Sequence, residues 1–233
     1  MSEPLLLVPG LMCTRELFQP QLDALVGGRE VTVVDHACAD NMRDIAFRIL
    51  DSSPDRFALA GLSMGVYVSL QIVALAPQRV TRLALLDGKA RLDTAEQTAA
   101  RLALVAMANS GDYLSITKDV LLDRLIAPLN ATMPGLKETI IRMAVDTGEA
   151  GFRRQMAAIM ERPDYLPGLS RIACPTLIMT GELDAITPPE CAVEMAGLIS
   201  HSVLHLVPDC GHLCTLETPT VVNSALQTWL GET

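Results

Sequence analysis

One turn constrains this chain more than any other stretch. It is Gly61-Leu62-Ser63-Met64-Gly65, preceded by the apolar run Phe57-Ala58-Leu59-Ala60 and followed by a helix-compatible segment, Val66 to Ala76, that ends at Pro77. A G-x-S-x-G turn between a buried strand and a helix is a nucleophile elbow, which holds a serine hydroxyl out at the top of a sheet. A side chain at position 61 or 65 would collide where strand and helix meet, and the serine backbone between them is expected to be strained. Taken alone, the pentapeptide is a common chance match. Its flanks are what commit the chain to a sheet with helices packed on it.

The rest of the sequence repeats that unit. Six strand-like runs end near Pro9, Asp35, Ser63, Asp87, Gly181 and Pro208. Helical patterns lie between most of them, over about 15–26, 41–52, 64–76 and 189–199, with a final helix near 217–230. Alternating strands and helices predict an α/β fold: a doubly wound, mostly parallel sheet with right-handed crossovers. Ligands then collect at the carboxyl ends of the strands. Residues 91–166 break the alternation. Leu102 to Met107, Val120 to Ile126 and Gly151 to Met160 read as helical, punctuated by Pro128, Pro134 and Pro163. The expected organisation is a core of residues 1–90 and 167–233 with a helical insertion over 91–166. Half of the residues are hydrophobic and only 19% are charged, as a sheet covered on both faces requires.

A serine hydroxyl needs a base to take its proton and an acid to orient that base. For an elbow serine the chain order is Ser, then Asp or Glu, then His. Of the four histidines, His36 precedes the serine, and His201 and His205 bracket or lie within the strand-like run Ser202 to Val207. His212 follows the last strand in the loop Pro208-Asp209-Cys210-Gly211-His212 and is the expected base. Asp184, in the loop after the strand-like run Pro175 to Met179, is the preferred acid. Its rival is Asp87, at the end of Arg82 to Leu86, while Glu182 reads as a solvated loop charge. Charge developing on a carbonyl oxygen needs preorganised N–H donors. Met64, which follows the serine, is one candidate. Leu11 is the other, in the Pro9-Gly10-Leu11-Met12 loop after the first strand.

With these residues in place the chain resembles the α/β-hydrolase fold superfamily over nearly its whole length. The elbow, the acid loop Gly181-Glu182-Leu183-Asp184 and the Gly211-His212 loop carry the resemblance, which is strongest to small bacterial esterases and enol-lactonases. It implies a cofactor-free serine hydrolase acting on a small ester or lactone, with residues 91–166 as a helical cap roofing the site. Two departures concern the substrate: Pro9-Gly10 stands where His-Gly is frequent, and Val66 where a further glycine is frequent. The rival readings are a carbon–carbon hydrolase of diketones with the same triad, and a ligand-sensing protein with negligible turnover. Dehalogenation is disfavoured, because that branch needs a carboxylate where Ser63 stands.

A net charge of −9 argues against nucleic acid or an anionic membrane as partner, leaving a small-molecule substrate. No secretory signal is read ahead of the first strand. Cys13, Cys38, Cys174, Cys191, Cys210 and Cys214 show no metal spacing, and reduced thiols in a cytoplasmic protein are expected. Cys210 and Cys214, two residues either side of His212, are read as packing or loop positions. The uncharged stretch from Phe57 to Pro77 mimics a membrane span, but Gly61, Ser63, Gly65, Ser69 and Gln71 interrupt it. Met107, Met133, Met143, Met156 and Met160 are expected as pliable fillers of the cap, some of them lining a pocket. With no extended basic cluster evident in the insertion, uncharged or weakly polar acyl groups are expected.

Overall fold

The structure, a computed structural model, describes residues 3–25 and 28–231. Six strands form one sheet: β1 (Leu5–Val8), β2 (Val31–Val33), β3 (Phe57–Leu62), β4 (Val80–Leu86), β5 (Thr176–Gly181) and β6 (Ser202–Val207). Their spatial order is β2-β1-β3-β4-β5-β6, and every neighbouring pair is parallel. The chain leaves β1 for β2 on one side and then returns to β3 on the other. That reversal opens a crevice beyond the carboxyl ends of β1 and β3, where doubly wound sheets bind their ligands.

Both faces of the sheet are apolar because helices cover both. Along β3, Phe57 and Leu59 pack into one core while Ala58, Ala60 and Leu62 pack into the other. The first core receives α2 (Met42–Ser52) and α3 (Met64–Leu75), through Ile45, Ile49, Val66 and Ile72. The second receives α1 (Gln19–Leu25) and the C-terminal helix Pro219–Leu230, through Leu22, Leu25, Val222 and Leu226. The uncharged stretch noted above is thus β3, wholly buried, and α3, buried over residues 64–70 and at Ile72. No described helix is long and apolar enough to cross a membrane.

Among the described residues, no strand lies between β4 and β5. The chain forms α4 (Ala95–Asn109), the short turn α5 (Tyr113–Ser115), a π-helical turn over Ile116–Leu121, α6 (Leu122–Leu125) and α7 (Leu136–Glu161). Thr94 starts α4 with a reciprocal capping box to Gln97. Gly148, at φ 67° and ψ 163°, breaks α7 into two helical halves. The remaining helices are α8 (Pro189–Leu198), α9 (Cys214–Glu217) and the C-terminal helix, α10 (Pro219–Leu230). The helix expected near 15–26 begins as a 3-10 turn over Arg15–Phe18, and its expected last residue lies outside the described ones.

Candidate active site

The elbow forms as its glycines require. Ser63 stands between β3 and α3 at φ 57° and ψ −113°, a conformation that non-glycine residues rarely adopt. Its N–H donates to Leu86 O at 2.9 Å, continuing the ladder past the strand end and fixing the turn. A Cβ at Gly65 would fall 2.1 Å from Val8 O, and one at Gly61 would fall 2.2 Å from Gly65 O. Helix and sheet therefore meet at backbone distance here, which only glycine permits.

Ser63 Oγ lies 2.8 Å from His212 Nε2, and His212 Nδ1 lies 2.7 Å from Asp184 Oδ2. Asp184 is buried and fully engaged. Its Oδ1 accepts from the Ile186 and Thr187 N–H groups at 2.8 and 2.9 Å, and its Oδ2 accepts from Thr187 Oγ1 at 2.8 Å. Burial alone would raise its pKa, but charge and hydrogen bonding from His212 and the two backbone donors bring it below the ordinary value. Burial alone would lower the pKa of His212. The Asp184 carboxylate outweighs that and leaves the imidazole above its ordinary value.

Asp87 ends β4 but does not touch His212. Its oxygens accept from Gly181 and Cys214 N–H groups, both at 3.0 Å, so it ties β5 to the segment after His212. Burial, reinforced by the charge of Asp184, raises its pKa. Of the two candidate acids, the structure brings Asp184 to the histidine and gives Asp87 a backbone-bridging position. Glu182, His201 and His205 are exposed. Cys210 and Cys214 are buried, with thiol pKa values raised by that burial.

Leu11 and Met64 line the same cavity as Ser63 and His212. Neither backbone N–H has a protein acceptor among the described residues, which leaves both available to a ligand oxygen. The loop carrying Leu11 is held by residues whose part was not legible from sequence order. His36 Nε2 lies 2.9 Å from Gly10 O, and Met12 N donates to Gln155 Oε1 at 3.0 Å. Gly10 O can only accept, so that contact requires a proton on His36 Nε2, which also lies 3.0 Å from Gln155 Nε2; burial lowers the pKa of the ring. Glu217 holds the histidine loop in the same way. This buried carboxylate accepts from Gly211 and Leu213 N–H groups at 3.1 Å and from Ala127 N at 2.7 Å. His212 N itself donates to Leu125 O at 3.0 Å, joining the loop to α6.

The cavity over Ser63 has a volume of about 180 Å³. Two expectations about its lining are corrected. None of the five methionines named above lines it; Met143 and Met156 are wholly buried in the two cores, and Leu104, Leu125, Ile140 and Ile159 supply apolar wall instead. Nor does the expectation of no extended basic cluster carry over to the wall, since Lys89, Arg101 and Arg124 all contribute to it. The basic residues are dispersed in sequence, one before the insertion and two within it, so no run of charge marked them.

Residues 5–225 match the alpha/beta hydrolase family, and the chain belongs to it. Among its relatives, the "Putative carbamate hydrolase RutD" of Variovorax paradoxus is 29% identical, over 98% of this chain and 92% of its own. A solved thermophilic esterase from Thermogutta terrifontis superposes with a TM-score of 0.89 at 28% identity, covering 100% of this chain and 90% of its own. The enol-lactonase of Burkholderia xenovorans gives the same TM-score of 0.89 at 22% identity, over 100% of this chain and 92% of its own, a likeness of fold. The fold and the family make the chain a hydrolase of the α/β class.

Proposed function

We propose that this hydrolase cleaves a small carboxylic ester or lactone through a serine-bound acyl intermediate. The observation that carries the reading is the unbroken chain Ser63 Oγ, His212 Nε2, Asp184 Oδ2, with links of 2.8 and 2.7 Å, opening on one cavity. His212 takes the Ser63 proton as Oγ attacks the carbonyl carbon, and Asp184 stabilises the imidazolium that results. Leu11 and Met64 N–H groups receive the oxyanion. His212 then gives its proton to the leaving alkoxide, and a water deprotonated by the same ring releases the acid and restores Ser63. The strained Ser63 backbone fits a residue held for chemistry rather than for folding. In the same reading residues 1–90 and 167–233 form the core, residues 91–166 form the cap, and the enzyme is cytoplasmic and needs no cofactor. The carbamate-hydrolase and esterase names of the relatives fit acyl cleavage of this kind.

The pH profile follows from the direction of the His212 shift. The base must be neutral to accept the proton, so kcat/KM rises with pH through the pKa of the free enzyme's imidazole. Because Asp184 raises that pKa above 6.5, the midpoint of the rise is expected above pH 6.5. A kcat/KM profile on p-nitrophenyl acetate checks it, and a midpoint well below 6.5 would remove His212 as the base.

Chain length tests the cavity. At about 180 Å³ it is smaller than the roughly 300–1,000 Å³ of pockets for drug-sized ligands. Turnover is therefore expected to be greatest for short p-nitrophenyl esters and to fall as the acyl chain passes about eight carbons. A series from acetate to palmitate, run beside a lactone panel, measures this. A preference for palmitate would show an open, lipase-like site. Turnover of diketones with no turnover of any ester or lactone would shift the reading to carbon–carbon hydrolysis by the same side chains.

A further inference from the structure

The chain carries a net charge of −9, yet the cavity over Ser63 is lined by Lys89, Arg101 and Arg124 and by no aspartate or glutamate. Two of these cations belong to a cluster with surplus positive charge. Lys89 Nζ, Arg101 Nε and Arg162 Nη2 lie 2.8, 2.6 and 2.9 Å from the carboxylate of Asp93, so three cations share one anion. The cluster is sheltered: the side chains of Lys89, Asp93 and Arg162 are 8%, 5% and 1% exposed. Unbalanced charge away from water is costly unless something of opposite sign completes it.

The donors are not equally occupied. Lys89 Nζ meets Asp93, Gln97 Oε1 at 2.6 Å and Leu92 O at 3.5 Å, which accounts for its three protons. Arg162 is stacked on Tyr67, its guanidinium carbon 4.2 Å from the ring centroid, and it does not line the cavity. Arg101 is different. It gives Asp93 a short bond from Nε and a long one, 3.5 Å, from Nη2, while its Nη1 donates to nothing among the described residues. At 20% exposure it lines the cavity with part of its planar fork unspent. Such a fork matches the two oxygens of a carboxylate.

We propose that the cavity takes an ester or lactone whose non-reacting end carries a free carboxylate, bound by the guanidinium of Arg101. This rests on reading Ser63 as the nucleophile, and it names the substrate class of that site. The carboxylate would complete the charge balance around Asp93, and apolar wall from Leu104 and Ile159 would contact the linking carbons. Arg101 then selects substrate, while the relay at Ser63 carries out the chemistry. The free donors of one guanidinium suit a single carboxylate better than a phosphate dianion, whose extra charge and oxygens would find Lys89 already committed.

Two measurements test it. The first compares kcat/KM for mono-p-nitrophenyl glutarate and p-nitrophenyl butyrate in the wild type, Arg101→Gln and Arg101→Lys. The wild type is expected to prefer the carboxylate-bearing ester by on the order of 10- to 100-fold, the size of a charge-assisted hydrogen bond pair. Arg101→Gln should bring the ratio close to one. Arg101→Lys, which keeps the charge that Asp93 needs but loses the fork, should give an intermediate ratio. A wild type that prefers butyrate, or a ratio that Arg101→Gln leaves intact, overturns the proposal. The second titrates Ser63→Ala with glutarate, dimethyl glutarate and inorganic phosphate by calorimetry. Only glutarate is expected to bind, and adding Arg101→Gln should abolish that binding. Because this arm needs no turnover, loss of all esterase activity with glutarate binding retained would fault the nucleophile alone. Absent glutarate binding, or tighter binding of phosphate, would fault the carboxylate site alone.

Discussion

Asp184→Asn is expected to lower p-nitrophenyl acetate turnover about 10⁴-fold, the size of the same change in a serine protease triad. The carboxylate accepts from His212 Nδ1 at 2.7 Å, which keeps the Nε2 lone pair directed at Ser63. An amide in its place can offer its own N–H to Nδ1, which leaves the proton on Nε2 and removes the acceptor that Ser63 requires. Asp87→Asn is the matched control, being the same chemical change at the other candidate acid. Asp87 bonds to Gly181 and Cys214 N–H groups and not to the imidazole, so it should lose far less activity. Thermal melts of both variants separate lost chemistry from lost folding. The reverse ranking would move the acid to Asp87.

Ser63→Ala is expected to be more damaging still, with a loss on the order of 10⁶-fold in kcat, as found when a triad serine is removed elsewhere. What survives should be the small acceleration that the Leu11 and Met64 donors give a water attacking directly. The substitution removes one oxygen and leaves the positive φ of 57° in place, so the fold should persist. Retained ester turnover at even one-hundredth of the wild type would contradict the assignment.

The sheet and the relay were legible because both are written locally. Each strand is a short apolar run closed by a turn, and the six runs became six parallel strands in one sheet. Ser63, Asp184 and His212 each follow such a run at its carboxyl end, so placing the strands placed the residues. The acid was ambiguous because Asp87 meets the same criterion. Only the three-dimensional register shows its oxygens spent on backbone N–H groups. His36 was set aside on chain order, although it braces Gly10 from across the crevice. Its partner segment carries Gln155, and no local pattern joins the two. The charge lining the cavity was illegible for the same reason. Lys89, Arg101 and Arg124 are scattered along the chain, and Lys89 and Arg101 meet only because both reach Asp93, where Arg162 from the end of α7 joins them. The methionine expectation failed on direction. A helix pattern shows that Met143 and Met156 face inward, but not that inward means the protein core rather than the cavity.

The central claim is that Ser63 is an activated nucleophile, and covalent labelling reads it most directly. The wild-type protein should be incubated with a fluorophosphonate probe, its intact mass measured and the modified peptide mapped. One adduct per chain is expected, on Ser63, formed at a rate that rises with pH as His212 loses its proton, and absent from Ser63→Ala. A wild type that stays unmodified, or an adduct mapped to any other residue, would contradict the account.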